Sequence, residues 1–204
     1  MLHYVKLDTV KMMKLRKKIH RVRYSTKNIK EGTAIWYMCC CPGQDPAELA
    51  KICREKISKD ALAEAFVPTY DKMKRYQGEW HIERGIVFPE SFFLDSEDAD
   101  KLFSELKRCG TDERFLKDMT KMETLCLHSE QEDFLNILFG KERHLKLSKG
   151  YIKDGCTYVT QGPLQGKEAM IRKIDRHKRL AKLEIPVGDG MKEMYAGLEI
   201  LSKS

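Results

Sequence analysis

The sequence lacks any long apolar run. No stretch approaches the roughly 18 to 20 apolar residues that a membrane-spanning helix needs. The first 30 residues carry basic side chains throughout and contain no apolar block of the kind found in a signal peptide. We therefore expect a cytoplasmic protein that does not bind a membrane.

The sequence also lacks paired cysteines. Its 7 cysteines are odd in number, three of them are adjacent at Cys39, Cys40 and Cys41, and no two have the Cys-x-x-Cys spacing. This pattern argues against a disulfide framework and against a zinc knuckle. We expect reduced thiols, buried or half-buried, in a reducing compartment.

Enzyme motifs are missing as well. The segment 162–166, GPLQG, does not end in the Gly-Lys-Ser/Thr of a phosphate-binding loop. The 6 histidines are scattered, without the HExxH or His–Cys spacing of a metal site. Cys126 and His128 could pair as nucleophile and base, but no third group is in sight to orient the histidine, and a surface thiol is the alternative we favour. We expect no enzyme, no catalytic residue, no metal and no cofactor.

Positive charge is present and unevenly distributed. The 204 residues carry 38 Lys and Arg against 31 Asp and Glu, a net charge of +7. Residues 1–35 contribute +8, residues 36–144 contribute −6, and residues 145–204 contribute +5. This asymmetry indicates modules with different partners, and a polyanion as the partner of the basic ones.

Residues 1–34 form a basic arm whose apolar residues show no sustained period. Three interpretations stay open for it: a nucleic-acid-binding tail, a solvated disordered segment, and a mis-assigned start. The third arises because Lys30-Glu31-Gly32 could be encoded by a purine-rich run that resembles a bacterial ribosome-binding site.

Residues 35–128 have the pattern of an α+β domain. Asp45-Pro46 predicts the N-cap and first turn of a helix that runs to about residue 59, and Ser96 predicts the start of a second helix over 98–108. Helices on one face of an antiparallel sheet would form an α+β sandwich. The predicted strands lie at 35–41, 65–70, 85–94 and 122–127, with a hairpin of arms 72–76 and 79–83 around Gln77-Gly78.

The pattern changes after this domain. Residues 129–139 predict a short amphipathic helix, and the polar segment 140–149 predicts a linker. From residue 150 the apolar period becomes about two. The resulting four or five short strands predict a small β-barrel over residues 150–204.

The segment 154–185 resembles a KOW motif. It reads DGCTYVTQGPLQGKEAMIRKIDRHKRLAKLEI, which is a strand, a GPLxG-type loop, a second strand, a basic turn and a third strand. Ala169 stands where many members of the family have glycine, and alanine costs little there only if its φ is negative.

With a KOW motif in place, the first domain resembles the NGN domain of the NusG family. Trp36-Tyr37 matches the first strand, Phe66-Val67-Pro68-Thr69 matches the second, and Phe88-Pro89 lies where the family usually shows FPGY, with Glu90-Ser91 replacing Gly-Tyr. The resemblance covers residues 36–204. The basic turn and the segment 127–132 look most like the LoaP-type antiterminator branch. The resemblance implies an NGN-type antiparallel sheet with helices packed on it, a linker, and an SH3-like KOW barrel.

In that family the NGN domain binds the clamp helices of RNA polymerase through an apolar concave surface and holds the enzyme in its elongating state. The resemblance carries this role to Tyr37, Phe66 and Phe88, and we add Phe92 because it extends the same apolar strand. Desolvated aromatic anchors of this kind dominate interface energies. The alternative is that these side chains, with Trp36, belong to the core.

The predicted turn of the KOW segment is dense in basic residues, with Asp175 as its only acid. Phosphate contacts from such side chains displace counterions, so we expect the turn to bind nucleic acid, in particular structured RNA such as a leader hairpin. A solvated charged turn is the alternative. The candidate residues are Lys173, Arg176, His177, Lys178, Arg179 and Lys182.

The hairpin over residues 72–84 interleaves basic residues with Tyr76 and Trp80. Charge and stacking together suit upstream DNA or the non-template strand, and a solvated hairpin is the alternative. Its candidate residues are Lys72, Lys74, Arg75, Tyr76, Trp80, His81 and Arg84.

Together these features predict a monomeric, operon-targeted elongation and antitermination factor. Two alternatives stay open: a housekeeping NusG whose KOW barrel contacts Rho or the ribosome, and a KOW-type ribosome or RNA-binding module without a polymerase role. The NGN pattern argues against the second alternative. The dense turn at 176–179 argues against a barrel that contacts only proteins.

Overall fold

The computed structural model describes residues 35–109 and 122–204. The predicted basic arm, residues 1–34, lies outside the described residues. Each of the helices α1 (Pro46–Lys56), α2 (Ala99–Cys109) and α3 (Ser129–Phe139) has 11 residues. Within the described ranges, no helix has both the length and the apolar character needed to cross a membrane.

The strands of the first half are β1 (Ile35–Cys40), β2 (Glu64–Phe66), β3 (Thr69–Tyr76), β4 (Glu79–Ile86), β5 (Ser91–Ser96) and β6 (Glu123–Cys126). The strands of the second half are β7 (His144–Leu145), β8 (Ser148–Lys153), β9 (Cys156–Gln161), β10 (Ile171–Asp175), β11 (Leu180–Val187) and β12 (Gly190–Lys203).

The predicted α+β architecture is confirmed for the first half. An antiparallel sheet has the strand order β2-β5-β1-β6. Helices α1 and α2 contribute to the core on one face, where Tyr37 and Phe92 are buried. Helix α3 contributes to a second core on the opposite face, where Trp36, Phe66 and Phe93 are buried. Both faces of this sheet are therefore covered.

Helix α1 begins where the sequence predicts. Asp45 accepts a hydrogen bond from the Ala47 N–H at 2.9 Å, and Pro46 occupies the first turn, where its missing N–H costs nothing. The helix ends at Lys56, about one turn earlier than predicted. The N–H and the hydroxyl of Ser58 instead donate to the carboxylate of Glu105, at 2.8 and 2.7 Å.

The predicted strand over residues 65–70 is in fact two strands in different sheets. Strand β2 ends at Phe66 and β3 begins at Thr69, because Pro68 has no N–H to donate to a ladder. The carbonyl of Pro68 accepts a bond from the Val87 N–H at 2.9 Å. The predicted strand over residues 85–94 is also interrupted, and Glu90 adopts a left-handed backbone with φ of 61° before β5 begins.

The predicted hairpin is confirmed. Strands β3 and β4 pair antiparallel, and Gln77 and Gly78 join them with φ of 52° and 85°. Positive φ at both central residues is what the favoured two-residue hairpin turn requires. Strand β7 adds to the same sheet, parallel to β3.

The second half forms a five-stranded sheet in the order β10-β11-β12-β8-β9. Strand β12 belongs to two pairings, since Gly190–Gly197 pairs antiparallel with β11 and its C-terminal part pairs parallel with β8. A closed barrel would need β9 to pair with β10, and no such pairing occurs among the described residues. The predicted small β-barrel is therefore not seen as a closed barrel, although the five strands agree with the predicted number of four or five.

Ala169 lies in a one-turn 3-10 helix, Glu168–Met170. It is not among the described residues with positive φ, so alanine causes no backbone strain there.

The predicted linker, residues 140–149, packs tightly against the first half. It contains β7, and the Nε2 atom of His144 lies 2.8 Å from the Asp71 carboxylate, which also accepts the Leu147 N–H at 2.8 Å. One core extends through both halves, from Trp36 and Phe88 to Val187 and Leu198.

Polar contacts also join the two halves. The Tyr195 N–H donates to the Val87 carbonyl at 2.8 Å. The side chain of Gln131 exchanges two bonds with the backbone of Gly188, each 2.9 Å. In this structure the two predicted domains therefore pack against each other.

Candidate nucleic-acid interface

The basic turn is the tip of an antiparallel hairpin made by β10 and β11. Lys173 is paired with Lys182 and Asp175 with Leu180, and residues 176–179 connect the strands. The Asp175 carboxylate accepts the Lys178 N–H at 3.0 Å, as short acidic side chains do in turns. Arg179 closes the turn with a left-handed φ of 48°. The strand–turn–strand arrangement predicted for this segment is confirmed.

Four of the six predicted nucleic-acid-binding residues are exposed: Lys173, Arg176, His177 and Lys178. Lys178 lies 3.9 Å from the Asp175 carboxylate, and its side chain is 75% exposed. Among the described residues, no carboxylate lies within 4.0 Å of a side-chain nitrogen of the other three. The charges of Lys173 and Arg176 are therefore available to an external anion.

Arg179 and Lys182, the other two, are engaged within the protein. Arg179 lies 2.9 Å from the Glu199 carboxylate, and its guanidinium is 4.0 Å from the centroid of the Trp80 ring. Lys182 lies 2.6 Å from the Glu193 carboxylate, which raises the pKa of Lys182 and lowers that of Glu193. These two residues shape the hairpin more than they add free charge.

The β3–β4 hairpin presents two different faces, because side chains alternate along a strand. On one face Arg75 is paired with Trp80 and Asp71 with Arg84. On the other face Lys72 is paired with Glu83 and Lys74 with His81.

On the face that carries Lys72 and Lys74, contacts within the hairpin engage one of the charges and two of the rings. Lys74 lies 3.1 Å from Glu83, and the Tyr76 and His81 rings stack at 3.6 Å. The predicted set of hairpin residues is therefore divided between the two faces.

The four predicted polymerase contacts do not share one surface. Tyr37 and Phe92 lie in the core with α1 and α2, whereas Phe66 and Phe88 lie in the core that extends into the second half. Their exposed fractions are 1%, 0%, 6% and 1% respectively. In this conformation all four occupy the core, the alternative that the sequence leaves open, and their contact with a polymerase stays a prediction.

Sequence reasoning missed the groups that hold the hairpin and the linker in place. Arg143 lies 2.7 Å from Glu64 and 4.4 Å from the centroids of both the Trp36 and Phe66 rings. The Asp71 carboxylate likewise contacts His144 at 2.8 Å, and the Glu199 carboxylate contacts Arg179 at 2.9 Å. Local patterns carry no signal for these contacts, since the partners are far apart in the chain.

A cleft of about 490 Å³ lies between β6 and the β11–β12 turn. His128 lies 3.3 Å from Asp189 across it, and Lys192 lies 3.7 Å from Glu123. The Cys126 thiol donates to the Leu127 carbonyl, and burial, then the charges of Glu132 and Asp189, raise its pKa. A raised pKa disfavours the thiolate, so Cys126 does not have the environment of an activated nucleophile.

The exposed β10–β11 turn and the neighbouring face of the β3–β4 hairpin are thus the strongest candidate site in the described ranges. The sequence matches no protein-family model and no curated protein.

Proposed function

We propose that this chain is a NusG-like transcription elongation and antitermination factor, and that the β10–β11 turn binds structured RNA of its target transcript. Arg176, His177 and Lys178 at the tip of that turn carry the proposal. All three are exposed at the end of a hairpin. Of the two cations among them, only Lys178 has a carboxylate of the described residues within 4.0 Å, that of Asp175 at 3.9 Å.

The shape of the turn suits contact with a polyanion. Asp175 orders the backbone by capping the Lys178 N–H, so the turn is preorganised before it binds. Arginine can bridge two phosphate oxygens with its planar fork, whereas lysine acts as a point charge. Such contacts would position the protein on RNA without reading its sequence.

The polymerase part of the proposal depends on the NusG resemblance. It requires that a surface of the first half dock on the clamp helices. Because Phe66 and Phe88 are buried in this conformation, docking through these two side chains would require the residues that cover them to move away.

The burial of these side chains favours a second candidate function, an RNA-binding or ribosome-binding module without a polymerase role. In that case the continuous core would stay closed and the basic turn alone would be the working surface.

A transcription assay separates the two functions. Host RNA polymerase would transcribe the 5′ leader of the adjacent operon followed by a terminator, with the full chain added, and read-through would be measured. The proposal predicts more read-through on this template than on one with a scrambled leader, and loss of the gain in the Arg176→Glu/Lys178→Glu variant.

Binding of the leader RNA without any gain in read-through would assign the chain to the second function. Equal read-through on both templates would contradict recruitment by RNA.

A further inference from the structure

We propose that the RNA-binding surface continues from the β10–β11 turn onto one face of the β3–β4 hairpin, where Arg75 contacts the same RNA backbone. The inference depends on the RNA-binding role proposed above. It makes the first half of the chain part of the RNA site.

The register of the β3–β4 hairpin places Arg75 on a defined face. Arg75 is paired with Trp80, so both side chains lie on the same face of the two-stranded arm. Lys72 lies on the opposite face, paired with Glu83. A group that covers Trp80 therefore lies on the face that carries Arg75 and not on the face that carries Lys72.

A side chain of the second half covers the Trp80 ring. The Arg179 guanidinium lies 4.0 Å from the centroid of that ring. The Glu199 carboxylate holds the same guanidinium at 2.9 Å, and the Arg179 carbonyl accepts the Leu198 N–H at 2.9 Å. The side chain of Arg179, which closes the basic turn, is thus held on the Trp80 ring, and Arg75 is the cross-strand partner of Trp80.

Arg75 is exposed, and no carboxylate of the described ranges lies within 4.0 Å of its side-chain nitrogens. The turn 176–179 is too short to follow a backbone far, because four extended residues reach at most roughly 14 Å. Arg75 would therefore add an exposed cation from the first half to the exposed cations of the turn.

This arrangement fits a polyanionic backbone better than an apolar partner. The exposed charged groups here are cations, and the Trp80 ring among them is already occupied by Arg179. Ile82 is 63% exposed on the same face, and a single apolar side chain is a small surface for an apolar partner. Each phosphate that such a cation neutralises adds to the salt dependence of binding.

The test compares two charge reversals of equal size on opposite faces of one hairpin, Arg75→Glu and Lys72→Glu. The full chain would be titrated onto labelled leader RNA over a salt series, and the unfolding of each variant in urea would be measured alongside. We expect Arg75→Glu to weaken binding on the order of tenfold and to reduce the salt slope by about one, with little change in Lys72→Glu.

An Arg75→Glu variant that binds like the unmodified protein, while Arg176→Glu/Lys178→Glu loses binding, would overturn the inference and leave the proposed function intact. Equal losses in Arg75→Glu and Lys72→Glu would also overturn it, since they would indicate a diffuse field and no defined face. If the unmodified chain did not bind RNA, or bound duplex DNA more tightly, the proposed RNA role would fail together with the inference.

Discussion

The Arg179 guanidinium lies 4.0 Å from the centroid of the Trp80 ring, and this contact joins the tip of the β10–β11 hairpin to the arm of the β3–β4 hairpin. Arg179 is also 2.9 Å from Glu199 and is only 23% exposed. A basic residue that the sequence assigns to nucleic acid is thus used to orient the neighbouring basic residues.

The Trp80–Arg179 contact should stabilise the packing of the two halves. We expect a double-mutant cycle of Trp80→Ala and Arg179→Ala, measured by urea unfolding, to give a coupling energy of about 0.5–2 kcal/mol. A cycle of Tyr76→Ala with Arg179→Ala is the control, because Tyr76 stacks on His81 on the other face of the hairpin. A coupling energy near zero in the first cycle would contradict a stabilising role for the contact.

Acidification should stabilise the fold around Asp95. The pKa of Asp95 is raised, and burial is the largest cause. The hydrogen bond from Trp36, at 3.2 Å, and the charge of Arg143 lower this pKa, but by less than burial raises it. One buried oxygen of this carboxylate has no hydrogen-bond partner among residues 35–109 and 122–204. The folded chain therefore takes up this proton at a higher pH than the unfolded chain.

It follows that the contribution of Asp95 to stability rises as the pH falls through its folded pKa, and levels off below the unfolded pKa. In urea titrations between pH 7 and pH 4, the gain should be smaller for Asp95→Asn than for the unmodified protein. The same gain in both proteins would exclude Asp95 as its source.

The thiols should react in an order set by burial and pKa. Cys156 is exposed, whereas burial, followed by the effect of Cys109, raises the pKa of Cys53 to about 12. Burial also raises the pKa of Cys39 well above its usual value. Since the thiolate is the nucleophile, Cys156 should react with a disulfide reagent before the other two thiols.

The measurement is a time course of thiol modification, with Cys156→Ser as the control. This variant should lose the earliest phase, and Cys39 and Cys53 should react only when urea unfolds the chain. Early modification of Cys53 in the native protein would contradict the packing around α1.

The elements that could be predicted are those whose signals are local. Asp45-Pro46 begins α1, and Gln77-Gly78 turns the β3–β4 hairpin, since the caps and φ values involved need only neighbouring residues. The basic turn lies where its charge pattern predicts for the same reason.

The elements that could not be predicted depend on distant partners. In β5, Phe92 and Phe93 point to opposite faces, and both are buried because the sheet is covered on both sides. An apolar run without alternation indicates a strand that is buried on both faces. The run at Phe92 and Phe93 therefore argues against placing Phe92 on a polymerase-binding surface. The pairing of Arg179 with Glu199 and Trp80 has no counterpart in the local sequence.

The packing of the two halves should be most sensitive at Gly197. A Cβ atom on this residue would clash with the Asp71 carbonyl oxygen, which belongs to the β3 backbone and cannot rotate away. The register of β12 against β11 fixes Gly197 opposite Leu180, at the start of β11 and next to the basic turn. We therefore expect Gly197→Ala to destabilise the protein by about 1–3 kcal/mol.

Gly190→Ala is the matched control for this substitution. Gly190 lies on the same strand and does not have a left-handed φ, and no heavy atom of the described residues lies within 4 Å of the added Cβ. Urea unfolding should show a change within about 0.5 kcal/mol for the control. Equal stability of Gly197→Ala and Gly190→Ala would contradict the close approach of β12 to β3. It would also contradict the packing that places Arg179 on Trp80.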